Sequence, residues 1–259
     1  MERRPPHRRL AALSGAAALL AILLVPAFAL AQEVSPSASV TISVPSLDQP
    51  QEMVPALKVL LLLTILSIAP AILISMTSFT RIVIVLGFVR QAIGTQNLPP
   101  TQVILSLSLM LTAVVMAPVM HRLDTEALAP YEAEQIDSDE ALDRASSIIR
   151  AFLIRQTRQD DLLLFYELTE SEAPAQVDDV ELTLLVPAFM ISELRTGFEM
   201  GFLLFLPFVL IDLIAGSVLT SMGMVMLPPT MVSTPLKLLL FVLVDGWAML
   251  TRSLVASFS

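Results

Sequence analysis

The sequence predicts an all-α membrane protein, on three observations. Of the 259 residues 55% are hydrophobic and 15% charged, with mean hydropathy +0.78, which leaves too little polar surface to cover a soluble core of this length. The apolar residues gather into runs long enough to need lipid, or a large partner assembly, as their solvent. The one long polar stretch, 121–183, carries apolar side chains at helical spacing.

The elements follow in chain order. Arg3, Arg4, Arg8 and Arg9 precede an apolar run over 10–25, and small residues at Ala27, Ala29 and Ala31 offer a cleavage site. Residues 1–31 therefore read as a secretory signal peptide, cut after Ala31; the alternative is an uncleaved first anchor. Ser, Pro and Thr dominate 32–55, a flexible tether.

Residues 56–120 form the first helical hairpin region. An apolar segment over 56–74 carries Lys58 near its start and is expected to kink at Pro70. A second run, 82–89, is bracketed by Arg81 and Arg90, and Leu98-Pro99-Pro100 makes a turn before the long segment 103–120. The acidic region 121–183 holds 16 acidic residues against five arginines, a formal balance of −11 within a chain whose net charge is −9. There Asp137 with Glu140 offers a helix start, followed by Ala145, Ile148, Ile149, Phe152 and Leu153 along one face. Residues 184–259 form the second hairpin region. In it, 202–219 is broken at Pro207 and holds Asp212, a Met-rich loop occupies 222–229, and the last run, 236–250, contains Asp245.

Arg81 and Arg90 are the only charges between the first two long segments. The positive-inside rule thus assigns 77–100 to the cytoplasm and the acidic region to the periplasm, in agreement with an exported N-terminus.

Several classes are excluded. The chain has no cysteine, so no disulfide or thiolate metal site. His7 and His121 lie outside ligand spacing, which removes the usual metal sites. An acidic balance argues against nucleic acid. No Ser–His–Asp set, nucleophile elbow or phosphate loop occurs, so neither an enzyme nor a cofactor is expected.

Two long stretches carry a family resemblance. The first runs from Met76-Thr77-Ser78-Phe79-Thr80-Arg81 through Arg90-Gln91-Ala92-Ile93-Gly94-Thr95-Gln96 to Pro99-Pro100. The second runs from Pro187-Ala188-Phe189 through Ser192-Glu193-Leu194, Gly201-Phe202, Pro207-Phe208 and Ile211-Asp212-Leu213 to Met222-Gly223-Met224-Val225-Met226-Leu227-Pro228-Pro229. It closes on Pro235 to Trp247. Between them, Phe152 to Arg158 and Asp161-Leu162 also match. With these, nearly everything after the tether resembles the FliP family of type III secretion export-gate proteins. The resemblance implies broken helical hairpins that assemble into a ring, expected to be pentameric, with a small helical periplasmic insertion. It implies FliQ and FliR as gate partners, FlhA and FlhB as further export components, and unfolded flagellar proteins as cargo, at the basal body in the bacterial inner membrane. Virulence-associated relatives usually lack a cleaved signal peptide, so the expected site before Gln32 favours the flagellar branch.

The resemblance assigns a channel constriction to the loop of Met222, Met224 and Met226, most directly to the last two. Val225 stands where relatives often carry another methionine. Methionine is unbranched and polarizable, suited to closing around nothing and re-packing around varied peptides; the plain alternative is ordinary packing at a helix end. Glu193 and Arg195 are candidates for an ion pair between subunits, or for solvated boundary charges. Asp212 and Asp245 lie in apolar runs, where a carboxylate needs a partner. Lys237 or Arg81 could supply one, or backbone N–H groups near Gly246. A proton-coupled transporter using these two aspartates would call for an internal repeat, which is absent; a scaffold that lines no pore is the remaining competitor.

Overall fold

A computed structural model describes residues 50–95, 98–172, 174, 180–224 and 226–258. The expected signal peptide, most of the expected tether, and Val225 lie outside the described residues. The chain divides into two compact units, 1–73 and 74–259. Almost all of helix α1, Pro50–Ser75, belongs to the first. It begins inside the span read as tether and runs through Pro70 without interruption.

The second unit is all-helical among the described residues. Its order is α2 (Phe79–Ile93), α3 (Thr101–Leu123), a π-helical turn (Asp124–Leu128), α4 (Ala129–Glu132), α5 (Ser138–Gln156), α6 (Gln159–Leu168), α7 (Leu182–Ser221), α8 (Thr230–Leu243) and α9 (Gly246–Ala256). Two continuous helical stretches are long and apolar enough to cross a membrane, Thr101–Glu132 and Leu182–Ser221. The pair α8–α9, bent by 64°, makes a third if it counts as one broken span.

Helix boundaries follow local chemistry. The Asp137 side chain caps α5 by accepting the Glu140 N–H at 2.8 Å, as the sequence pair implied. Gly94 ends α2 at φ 79°, a left-handed conformation that suits glycine. The expected break at Pro207 does not occur: α7 is one helix of 40 residues that contains both Pro187 and Pro207. Each proline removes a single rung from a long ladder, and Phe208, next to Pro207, is buried in a core cluster with Val89, Phe241 and Leu250. In the second hairpin region it is the double proline at 228–229 that coincides with a break, between α7 and α8.

Helix α7 is the axis of this unit. At 1.5 Å per residue it is about 60 Å long, roughly twice the hydrocarbon thickness of a bilayer. Its N-terminal half packs Leu185 and Phe189 against Met116 and Val119 of α3 and Ile148, Phe152 and Leu153 of α5. The acidic region is therefore not a separate body, because its helices share a core with α3 and α7. On the neighbouring side of the same core, α2 contributes Ile82, Val85 and Leu86 against Ile104, Leu111 and Val115 of α3 and Leu254 of α9.

The approach of α2 to α7 depends on two glycines one turn apart. A Cβ on Gly197 would meet the Ile84 side chain at 3.3 Å, and one on Gly201 would meet the Phe88 ring at 2.5 Å. Residues four apart share a helix face, so Ile84 and Phe88 seat over Gly197 and Gly201 as ridge over groove. Phe88 also stacks edge-on against Phe198, with centroids 5.5 Å apart. Gly201→Ala should cost about 1–3 kcal/mol by overpacking. Gly87→Ala, on α2 with nothing within 4 Å of the added carbon, should be neutral or slightly stabilising. Thermal unfolding of the two variants in detergent checks this, and equal melting would mean the helices do not meet so closely.

Candidate functional site

Nine polar side chains are buried among the described residues; Ser192 and Glu193 belong to α7, and Arg81, Asp161, Ser233 and Lys237 bond to it. Glu193 is fully buried and Arg81 nearly so. The Arg81 guanidinium grips both carboxylate oxygens, through Nε to Oε2 at 3.0 Å and through Nη2 to Oε1. Its remaining donors reach the Ser257 carbonyl at 2.9 Å, the Ser257 hydroxyl at 3.1 Å and Gln156 Oε1 at 3.2 Å. The Phe258 ring lies 3.8 Å from the guanidinium carbon, and Gln156 Nε2 donates to the Phe258 carbonyl. One cation thus joins α2, α7, the end of α5 and the segment after α9.

This corrects two expectations. Glu193 was read as meeting an arginine of a neighbouring subunit or water, and in the folded chain it meets Arg81 of its own. Arg81, in turn, was a candidate partner for the aspartates and is fully engaged elsewhere. The physical reason is burial, since neither charge is tolerated in the core without the other.

Arg195 does not pair with Glu193 either. It donates to Asp161 Oδ1 at 3.1 Å, and the buried Asp161 accepts the Ser192 hydroxyl at 2.8 Å through its other oxygen. Ser192 Oγ also accepts the Arg158 N–H at 3.0 Å. The Arg158 side chain reaches Thr196 and both oxygens of Glu199, and the carboxylate beside it raises the guanidinium's pKa further. Ser192, Thr196 and Glu199 therefore form a polar stripe along α7 that docks the start of α6. Asp161, Ser192 and Arg158 lie in the stretches that carry the family resemblance, which assigns them no role; the spacing of Ser192, Thr196 and Glu199 on one helical face is the signal in the sequence.

The aspartates separate in character. Asp212 accepts Lys237 Nζ at 2.5 Å and the Ser233 hydroxyl at 2.6 Å, joining α7 to α8. Lys237 is buried, and a Cβ on Gly94 would lie 3.7 Å from its Nζ, so the end of α2 closes over the pair. Asp245 is exposed at the α8–α9 corner, in a left-handed conformation (φ 50°, ψ 53°), and its side chain caps nothing. It sits at a break and not inside an apolar run, so the expected backbone N–H partners near Gly246 are not used. Gly246 serves packing instead, because a Cβ there would meet the Phe241 ring at 2.4 Å.

The methionine loop leaves α7 by a defined turn. Gly223, at φ 76°, donates to the Thr220 carbonyl at 3.0 Å, and Met224 N donates to the Leu219 carbonyl at 3.0 Å, the paired bonds of a Schellman motif. Met222 and Met226 are exposed, Met226 almost completely at 97%, while Met224 is half-buried. No ionisable residue lies between Ser221 and Pro229.

A fold that is all-helical among the described residues, with helices long and apolar enough to cross a membrane and internal charge pairs that lock them together, defines a helical membrane protein. More specifically, the chain belongs to the FliP family, whose model matches residues 62–254. It is 50% identical over 217 residues to the flagellar biosynthetic protein FliP of Bacillus subtilis, covering 84% of this chain and 98% of that one. Identity to the protein of the same name is 50% in Caulobacter vibrioides, over 76% of this chain and 74% of the relative. In Aquifex aeolicus it is 43%, over 80% and 87%.

If Asp212 and Lys237 act as a structural pair, Lys237→Met should lower the yield and melting temperature of membrane-extracted protein, because a carboxylate remains without its counter-charge. Adding Asp212→Asn should restore most of the loss. A double variant no better than the single would show that Lys237 acts independently of Asp212. A double variant that melts like wild type yet loses motility would point to proton transfer.

Proposed function

We propose that this chain is a core subunit of the flagellar type III protein export gate. In this reading it forms a ring of five copies with FliQ- and FliR-type proteins, beside FlhA and FlhB, and conducts unfolded flagellar subunits across the inner membrane without being an enzyme. Support comes from the relatives, which carry the name flagellar biosynthetic protein FliP over most of the chain, and from helices apolar and long enough for a membrane. Arg81 donates to Gln156 of the acidic region at 3.2 Å, so the start of 77–100 shares that region's side, which corrects the expected cytoplasmic placement of the whole of 77–100. The orientation we propose keeps the acidic region periplasmic. The length of α7 favours it, since a helix twice the bilayer thickness must carry part of itself beyond the lipid, and its N-terminal half is bound to the acidic helices.

The observation that carries the gate is the loop. Met226 is almost fully exposed on a segment without charge, launched by a fixed turn and ended by Pro228-Pro229. With exposed Met222 and Leu227 it makes an apolar patch of the kind that marks a contact surface, and in a ring its partners are the same loop of neighbouring subunits. Such a collar excludes ions when idle and deforms around a polypeptide.

Truncating Met224 and Met226 together to alanine should widen the collar. Small thiol reagents should then cross the inner membrane of cells producing the complex, while flagellar secretion persists. Leucine at both positions should be milder, because volume and apolarity are kept. A double-alanine variant as tight as wild type, or one that no longer assembles, would assign these methionines to packing and place the seal elsewhere.

A further inference from the structure

A cavity of about 300 Å³ opens where the C-terminal half of α3 faces α5 and the segment after α9. Its wall includes Val114, Pro118, Phe152 and Phe258, and the only charged residues on it are Arg122 and Arg155. We propose that this is a binding site for an anionic phospholipid, with one acyl chain along the apolar wall and the headgroup phosphate on the two arginines.

Position is the first argument. The apolar wall belongs to Thr101–Glu132, a helix long and apolar enough to cross a membrane. Arg122 follows one turn after Pro118, at the point where the apolar run gives way to charge at Asp124 and Glu126. Arginines at the end of a span sit at headgroup depth. Charge is the second. Arg155 is exposed, and its one side-chain bond is a long donation from Nε to the Ala151 carbonyl, 3.4 Å. No carboxylate pairs with it among the described residues. Arg122 uses Nε and Nη2 on Glu126, at 2.9 and 3.2 Å, which leaves Nη1 free of that pair. The pair is half-exposed on both sides, and such pairs are weak, so a phosphate competes for Arg122. Size is the third, because a helix about 10 Å across does not enter a space of this volume, whereas a single hydrocarbon chain does.

The inference depends on the membrane placement of α3 and is independent of the export role. The test uses the full chain in nanodiscs of phosphatidylcholine doped with phosphatidylglycerol, one or the other lipid carrying a photoreactive acyl chain, with crosslinks mapped by mass spectrometry. Phosphatidylglycerol should label the 114–118 and 258 peptides several-fold more than phosphatidylcholine. Arg155→Gln should reduce that preference about fivefold, the weight of one arginine beside an anionic lipid. Arg155→Lys should keep most of it, and Arg252→Gln, which lies off the cavity wall, should leave it unchanged. Equal labelling by both lipids, indifference to Arg155→Gln, or crosslinks from these peptides to a second copy of the chain would overturn the proposal. No labelling by either lipid would overturn it together with the membrane placement of α3, while motility and export would report separately on the gate.

Discussion

A guanidinium and a carboxylate withdrawn from water hold each other in place, and in this chain the Arg81–Glu193 pair does so at the point where four segments meet. Either charge alone in that position would cost several kcal/mol, so the fold is committed to bringing α2 and α7 into one register. The glycines then let the two helices close. Gly197 and Gly201 lie one and two turns beyond Glu193 on the same face of α7, so the salt bridge and the ridge of Ile84 and Phe88 form one continuous seam. The remaining donors of Arg81 carry the constraint outward to Gln156 and Ser257.

The seam has a consequence for function. A helix of 40 residues is useful as a strut only if its ends are fixed independently. The Asp161–Ser192–Arg195 contacts hold its N-terminal half to the acidic helices, and Asp212–Lys237 holds its C-terminal half to α8. Between those anchors and the double proline lies an uncharged loop whose Met222 and Met226 are exposed. In the proposed gate, rigidity in the strut is what allows softness in the loop to act as a seal.

Much of this was legible in the sequence. Helix identity, the Asp137 cap, the turn before Pro100 and the partnership of Asp212 with Lys237 as one option all follow from spacing and charge. Proline misled the reading of α7 and α1, because a single missing rung is weighed against tertiary packing that a linear pattern does not display. The fate of Glu193 was hidden for a similar reason. A lone acid near an apolar run fits a boundary, an interface or a core equally well, and the difference is made by Arg81, 112 positions away. Asp161 was hidden among 16 acidic residues, most of them exposed.

The claim that one buried pair sets the register is tested most directly by a double-mutant cycle on Arg81 and Glu193. Arg81→Met and Glu193→Leu should each destabilise the purified chain by about 3–5 kcal/mol, since each leaves a buried charge alone. The double variant should recover well over 1 kcal/mol relative to the sum of the singles. Additive losses would contradict the account. So would a Glu193→Leu chain that unfolds like wild type yet fails to enter the ring, for the carboxylate would then act between subunits and not within one.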